Sequence, residues 1–148
     1  MADADALNLL ARLPVRRPNW VLTPHPGEAA RLLGCNTHDI TADRFAAVKK
    51  LQNQYAGVCV LKGAGSLIAD DGNLLVNTTG NPGMASGGMG DVLAGVTGAL
   101  LAQGLTLTDA AKLAVHVHGE AADGMAATQG ERGMLAGDLL PKIRELLN

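Results

Sequence analysis

Apolar residues recur at helical spacing through "DALNLLARL" (5–13), and Pro14 ends that run. A short buried strand follows at "WVLT" (20–23) and leads into "PHPGE". "GEAARLLG" (27–34) reads as a helix stopped by Gly34, and "TADRFAAVKKLQNQYAG" (41–57) as an amphipathic helix with Thr41 as N-cap and Gly57 as stop. The period then changes. "VCVLK" (58–62) is a fully apolar strand of the kind found inside a parallel sheet. "SLIAD" and "LLVN" flank "DGN", which predicts a hairpin. Three helices close the chain, at about 89–103, about 108–127 behind Thr108, and about 137–147.

Strands alternating with helices predict an α/β sandwich carrying an inserted hairpin, with residues 1–148 as one domain. Only about four strands are legible, and "ADADALN" starts directly into a helix. In open α/β sheets, functional loops follow the carboxyl ends of strands. "DAD" resembles such a loop without its strand, so the sequence reads as the C-terminal part of a larger unit.

Composition narrows the partners. The chain is 47% hydrophobic and 18% charged with net charge −2, and it holds one Trp, one Tyr and one Phe. A nucleic-acid footprint would need a basic stripe, usually with stacking aromatics, so none is expected. "VLAGVTGALLA" falls far short of the ~20 residues that span a bilayer, and no membrane association is expected. "MADADALNLL" lacks the basic start of a signal peptide. Cys35 and Cys59 lack metal or redox spacing, which points to a reduced, cytoplasmic chain.

The densest chemistry lies in "NTTGNPGMASGGMGDVLAG" (77–95). Gly88, Met89 and Gly90 place successive backbone N–H groups at the opening of a helix, where free donors and the positive dipole end form an anion site. Asp91, in that first turn, has two readings: it complements the dipole, or it is a general base beside a bound phosphate. Lys62 ends a strand before the turn Gly63–Ala64–Gly65–Ser66, which suits a nucleotide phosphate as well as a plain β-turn. The turn is neither a Rossmann fingerprint nor a P-loop. His25 stands between two prolines with no obvious packing task, whereas Glu28 reads first as charge complementarity at a helix start. His116 and His118 point in different directions on one helix and form no metal pair. Asp70 and Asp71 are turn residues, and Met84, Met89, Met125 and Met134 pack.

Taken in order, "TPHPGEAARLLG", "VLKGAGS", "NTTGNPGMASGGMGDVLAG" and "VHGEAAD" resemble the ADP-dependent NAD(P)H-hydrate dehydratases of the ribokinase-like superfamily, across essentially all 148 residues. The resemblance implies a three-layer α/β/α sandwich of which this chain is the C-terminal portion. It implies repair of hydrated nicotinamide cofactor: a phosphoryl group passes from ADP to the substrate hydroxyl, and phosphate is then eliminated to restore NAD(P)H. By the same likeness Asp91 is the catalytic base and a substrate contact, and His25 a second substrate contact. Lys62, Gly63, Ala64, Gly65, Ser66 and Gly90 touch the nucleotide, while Gly88, Met89 and Gly90 form the anion hole. Mg²⁺ dependence, a homo-oligomer and an upstream epimerase domain in a longer gene product come with the family. Ser66 replaces a common threonine, and "MASGGMGD" replaces "MATAGSGD", both keeping the hydroxyl or glycines needed. Family domains run to roughly 250–300 residues, the size of large single α/β domains. Asp3, Asp5 and Asn8 match the start of the retained part, with Met1-Ala2 where the preceding strand ends. Two alternatives accompany this reading: a non-catalytic nucleotide-binding fragment, and a ribokinase-like small-molecule kinase.

Overall fold

The computed structural model describes residues 1–148. Its sheet has four strands in the order β1-β2-β3-β4: Val21–Leu22, Val58–Leu61, Leu67–Ala69 and Leu74–Val76. β1 and β2 run parallel, with Val21 opposite Val58. β2, β3 and β4 are antiparallel neighbours, with Val60 opposite Ile68 and Ile68 opposite Leu75. The sheet is therefore mixed. β2 lies between a parallel and an antiparallel neighbour, which corrects the expectation of a wholly parallel interior. The hairpin extends the sheet because the "DGN" turn sends the chain straight back alongside β3.

Both faces of the sheet are covered, and the period of two along β2 decides which residue goes where. Cys59 and Leu61 join Leu22, Leu67 and Ala69 in a core completed by α1 (Asp5–Arg12), α2 (Pro26–Leu33), α3 (Thr37–Ala42) and α4 (Arg44–Tyr55). Val58 and Val60 join Val21 and Ile68 on the other face, beneath α5 (Met89–Ala102) and α6 (Leu107–Gln129). This is the three-layer α/β/α arrangement expected from the sequence. A third cluster, including Met89, Met134, Leu139 and Ile143, ties α5 and α6 to α7 (Leu139–Leu146), with Met84 and Met125 packed against it.

The helix expected over 41–57 is two helices. Asn36 caps α3 by accepting from Asp39 N–H at 2.9 Å, and Asp43 caps α4 by accepting from Ala46 N–H at 2.9 Å. Thr41 lies inside α3 and donates to the carbonyls of Thr37 and His38, so it is not an N-cap. Asp43 is the better cap, and its non-helical backbone (φ −145°, ψ 84°) breaks the run. At the other end Ala56 is the C-cap. Gly57 has φ 64° and lies so close to Trp20 that a Cβ would fall 2.4 Å from the Trp20 carbonyl oxygen. Likewise α6 is capped by Thr106 and not Thr108. The Thr108 hydroxyl instead donates to Asp70 at 2.9 Å and fastens the hairpin to α6.

Ala2 makes an isolated parallel bridge to Leu22: its N–H donates to the Val21 carbonyl at 2.8 Å and its carbonyl accepts from Thr23 N–H at 3.2 Å. It thus occupies a strand position beside β1, which places "DAD" at a strand's carboxyl end. Cys35 is exposed, and Cys59 is buried with its thiol pKa pushed up to about 12 by desolvation, so it stays protonated. No helix is long and apolar enough to cross a membrane.

Candidate active site

The carboxyl ends of β1 and β2 and the start of α5 meet at a cluster of charge. Lys62 follows β2, and its Nζ donates to Asp3 Oδ1 at 2.9 Å and lies 3.8 Å from Glu28 Oε2. All three side chains are largely buried, at 20% exposure for Lys62, 12% for Asp3 and 7% for Glu28. Such a pair gains from the reduced dielectric and holds both partners in place. Gly90 abuts it: a Cβ there would stand 3.4 Å from Lys62 Nζ and 3.6 Å from Asp3 Oδ2. The structure thus brings Lys62 and Gly90 together, and it adds Asp3 and Glu28 as the lysine's partners.

His25 has a packing task after all. Its Nδ1 accepts from the backbone N–H groups of Gly27 (3.0 Å) and Glu28 (3.3 Å), while Glu28 Oε2 accepts from His25 N–H at 2.7 Å. This is a reciprocal capping box at the start of α2, with Pro26 at the first helical position. Glu28 therefore serves twice, closing the cap and facing Lys62. The imidazole remains half exposed, with Nε2 3.6 Å from Glu28 Oε1.

The turn after Lys62 is held by a residue that sequence reasoning missed. Arg44, at the start of α4, donates from Nη1 to the Ala64 carbonyl and from Nη2 to the Leu61 carbonyl at 3.3 Å. Gly63 and Gly65 adopt φ 146° and 63°, and the Ser66 hydroxyl donates back to the Gly63 carbonyl at 3.1 Å. Asn77 N–H donates to the Ser66 carbonyl at 2.9 Å, so the turn is tied to the start of the glycine-rich loop at the base of the hairpin. In sequence Arg44 is one basic residue in an amphipathic helix, with no signal to single it out.

In the loop, a 3-10 turn over Pro82–Met84 precedes α5. Ala85 N–H donates to Pro82, and the next backbone donor with a partner is Val92, to Gly88 at 3.1 Å. The N–H groups from Ser86 through Asp91 make no hydrogen bond of good geometry within the chain, and Gly87 and Gly88 form a turn. Gly88, at φ 87°, is the N-cap without a side-chain bond, and a Cβ there would meet Ala136 Cβ at 3.2 Å. These free donors stand at the positive end of a 14-residue helix, an arrangement that favours negative charge. The Asp91 side chain is exposed and makes no ion pair or hydrogen bond, which leaves it free as a proton acceptor. It borders an apolar groove of about 490 Å³ lined by Val92, Val96, Leu100, Leu140 and Ile143.

The two helical histidines part as expected. His116 is exposed and its carbonyl accepts from the Thr79 hydroxyl at 3.0 Å, while His118 is buried.

Residues 1–145 match the family model described as NAD(P)H-hydrate dehydratase. The chain is 58% identical over 146 residues to the bifunctional NAD(P)H-hydrate repair enzyme Nnr of Vibrio cholerae, covering 99% of this chain and 30% of that protein. It is 45% identical to the ADP-dependent (S)-NAD(P)H-hydrate dehydratase of Neisseria meningitidis, covering 99% of this chain and 52% of the relative. Among solved structures, the ADP/ATP-dependent NAD(P)H-hydrate dehydratase of Bacillus subtilis, co-crystallised with ATP and Mg²⁺ and soaked with CoA, superposes with TM-score 0.82. It is 30% identical, over 99% of this chain and 55% of that one. The fold is the ribokinase-like one. The chain spans about a third of the bifunctional relatives and about half of the single-activity ones. With its charge cluster, its free amide run and a family match that extends over nearly every residue, the chain belongs to the NAD(P)H-hydrate dehydratase family.

Proposed function

We infer that this chain supplies the nucleotide-binding and phosphoryl-transfer part of an ADP-dependent (S)-NAD(P)H-hydrate dehydratase. The observation that carries the reading is the unpartnered N–H run Ser86–Asp91, set at the start of α5 beside Lys62. A bare hydroxide is a poor leaving group, so the substrate hydroxyl must first be converted into a better one. Asp91 takes the hydroxyl proton as the oxygen attacks the terminal phosphorus of ADP, and the bond to the α-phosphate breaks to leave AMP. The backbone donors of Gly88, Met89 and Gly90 stabilise the charge gathering on the transferred group. Phosphate then leaves with the C–O bond, a proton is lost from the neighbouring ring carbon, and the double bond of the dihydronicotinamide is restored. The net change is hydrate plus ADP to NAD(P)H plus AMP and phosphate.

Lys62 and the Gly63–Ser66 turn face the nucleotide in this reading, with Arg44 holding the turn and Asp3 and Glu28 holding the lysine. His25 touches the substrate through its exposed edge while its Nδ1 caps α2. No group of three or more His, Cys, Asp or Glu side chains converges as a metal cage. Mg²⁺ carried on nucleotide phosphates needs only one or two carboxylates. Asp3, whose Oδ2 would stand 3.6 Å from a Cβ at Gly90, is the acid placed to supply one, while Asp91 keeps its role as base. Bound there, the ion would offset phosphate charge. A cytoplasmic homo-oligomer, with an epimerase domain elsewhere in a longer gene product, completes the reading.

The test incubates the chain with hydrated NADH, ADP and Mg²⁺ and follows dihydronicotinamide absorbance. Asp91→Asn is expected to lower the rate by about 10²–10⁴-fold, the worth of a general base, while leaving ADP affinity within about threefold. Recovery that survives Asp91→Asn would remove Asp91 as the base. ADP binding with no recovery by the unaltered chain would favour the non-catalytic reading.

A further inference from the structure

The "VHGEAAD" stretch of α6 lies outside the chemistry described above, yet it grips the glycine-rich loop at several points. Asp123 uses both carboxylate oxygens: Oδ2 accepts from Gly80 N–H at 2.8 Å, and Oδ1 accepts from Asn81 Nδ2 at 2.9 Å. One turn earlier, Gly119 packs against Thr79 so closely that a Cβ would fall 2.2 Å from Thr79 Oγ1 and 2.7 Å from its carbonyl carbon. Asn81 passes the constraint onward, because its Oδ1 accepts from Gly83 N–H at 3.0 Å and its carbonyl from Met84 N–H at 3.1 Å. Gly83 in turn lies against Glu131, whose carbonyl oxygen would be 2.5 Å from a Cβ. Beyond Ala85 no backbone N–H makes a hydrogen bond of good geometry until Val92. The turn hung on Asp123 is therefore the last hydrogen-bonded anchor before the free amides of Ser86, Gly87 and Gly88, and α5 itself fixes those of Met89, Gly90 and Asp91.

We propose that Asp123 is a positioning residue for the anion cradle. Its two-point clasp on Gly80 and Asn81 sets the direction of the Ser86–Gly88 N–H groups, on which the nucleotide-phosphate reading above rests. Asp123 touches no reacting atom. An amide donor set stabilises an anion only if it is held in place beforehand, since a loop that must order on binding gives back part of the affinity. The side-chain chemistry of the clasp is specific. It needs two acceptors at 123 and one donor with one acceptor at 81, a pattern that reverses cleanly. With Asn81→Asp and Asp123→Asn combined, the new Asn donates to the new Asp and accepts from Gly80 N–H, while the new Asp still accepts from Gly83 N–H.

The test measures ¹⁵N order parameters in the free chain, with ADP affinity by calorimetry, for the unaltered protein, Asp123→Asn, Asn81→Asp and the double variant. In either single variant the order parameters of Ser86–Gly88 should fall from about 0.85 towards or below about 0.6, while those of α6 stay unchanged. ADP affinity should drop roughly five- to tenfold, about the worth of one hydrogen bond. The double variant should restore both. Single variants as rigid at Ser86–Gly88 as the unaltered protein would overturn the proposal, as would a double variant as loose as either single one. If the unaltered chain does not bind ADP, the nucleotide reading fails, and the order parameters still decide the role of Asp123.

Discussion

His25 shows how one side chain answers to two demands. Its Nδ1 completes the cap of α2, and its opposite edge is open to a ligand. The two roles separate by substitution, because asparagine is a strong N-cap and carries no imidazole. His25→Ala is expected to lower stability by about 1 kcal/mol, read by urea unfolding, whereas His25→Asn should leave it nearly unchanged. If the imidazole contacts substrate, both variants raise KM for the hydrate; an unaltered KM in His25→Asn would leave His25 with the capping role alone. The residue types at this site are legible in the sequence: His25, Lys62, the glycines and Asp91 all stand where strand ends and helix starts place functional groups. Their mutual contacts are not. Asp3 lies 59 positions from the lysine that it binds, and Arg44 lies 20 from the carbonyl that it holds. No local spacing encodes such pairs; they exist only once β1, β2 and α4 have packed together.

At the scale of elements, periodicity locates the helical and extended stretches but misjudges where several begin and end. The split between α3 and α4 is hidden because Ile40, Ala47, Val48 and Leu51 all feed the same core. Their apolar pattern runs on through a break set by the Asp43 cap. α6 carries a separate liability. His118 is 6% exposed, its Nε2 has no hydrogen-bond partner, and burial lowers its pKa from 6.5 to about 4. The unfolded chain therefore binds a proton that the folded chain refuses between those two values, and stability falls as pH drops through that window. The full loss is of order 3 kcal/mol, since each tenfold change in proton affinity is worth about 1.4 kcal/mol. His118→Leu removes both the titration and the unsatisfied nitrogen, so its stability should be flatter from pH 6.5 to about pH 4. Urea midpoints across that range check this, and an equally steep decline in His118→Leu would place the acid sensitivity elsewhere.

At the scale of the molecule, four strands and seven helices make a two-faced sandwich whose strand ends, turn and loop converge on the start of α5. The chain corresponds to about half the length of the single-activity relative it matches, and the proposed nucleotide binding rests on the free amides at the start of α5 and on Lys62. The most direct measurement is an ADP titration followed by backbone amide chemical shifts. The expected result is a saturable displacement centred on Ser86–Asp91 and on Lys62–Ser66, with little change at the hairpin or at α7. Shifts confined to other surfaces, or none at ADP concentrations in the millimolar range, would contradict the assignment of this cradle to nucleotide phosphate.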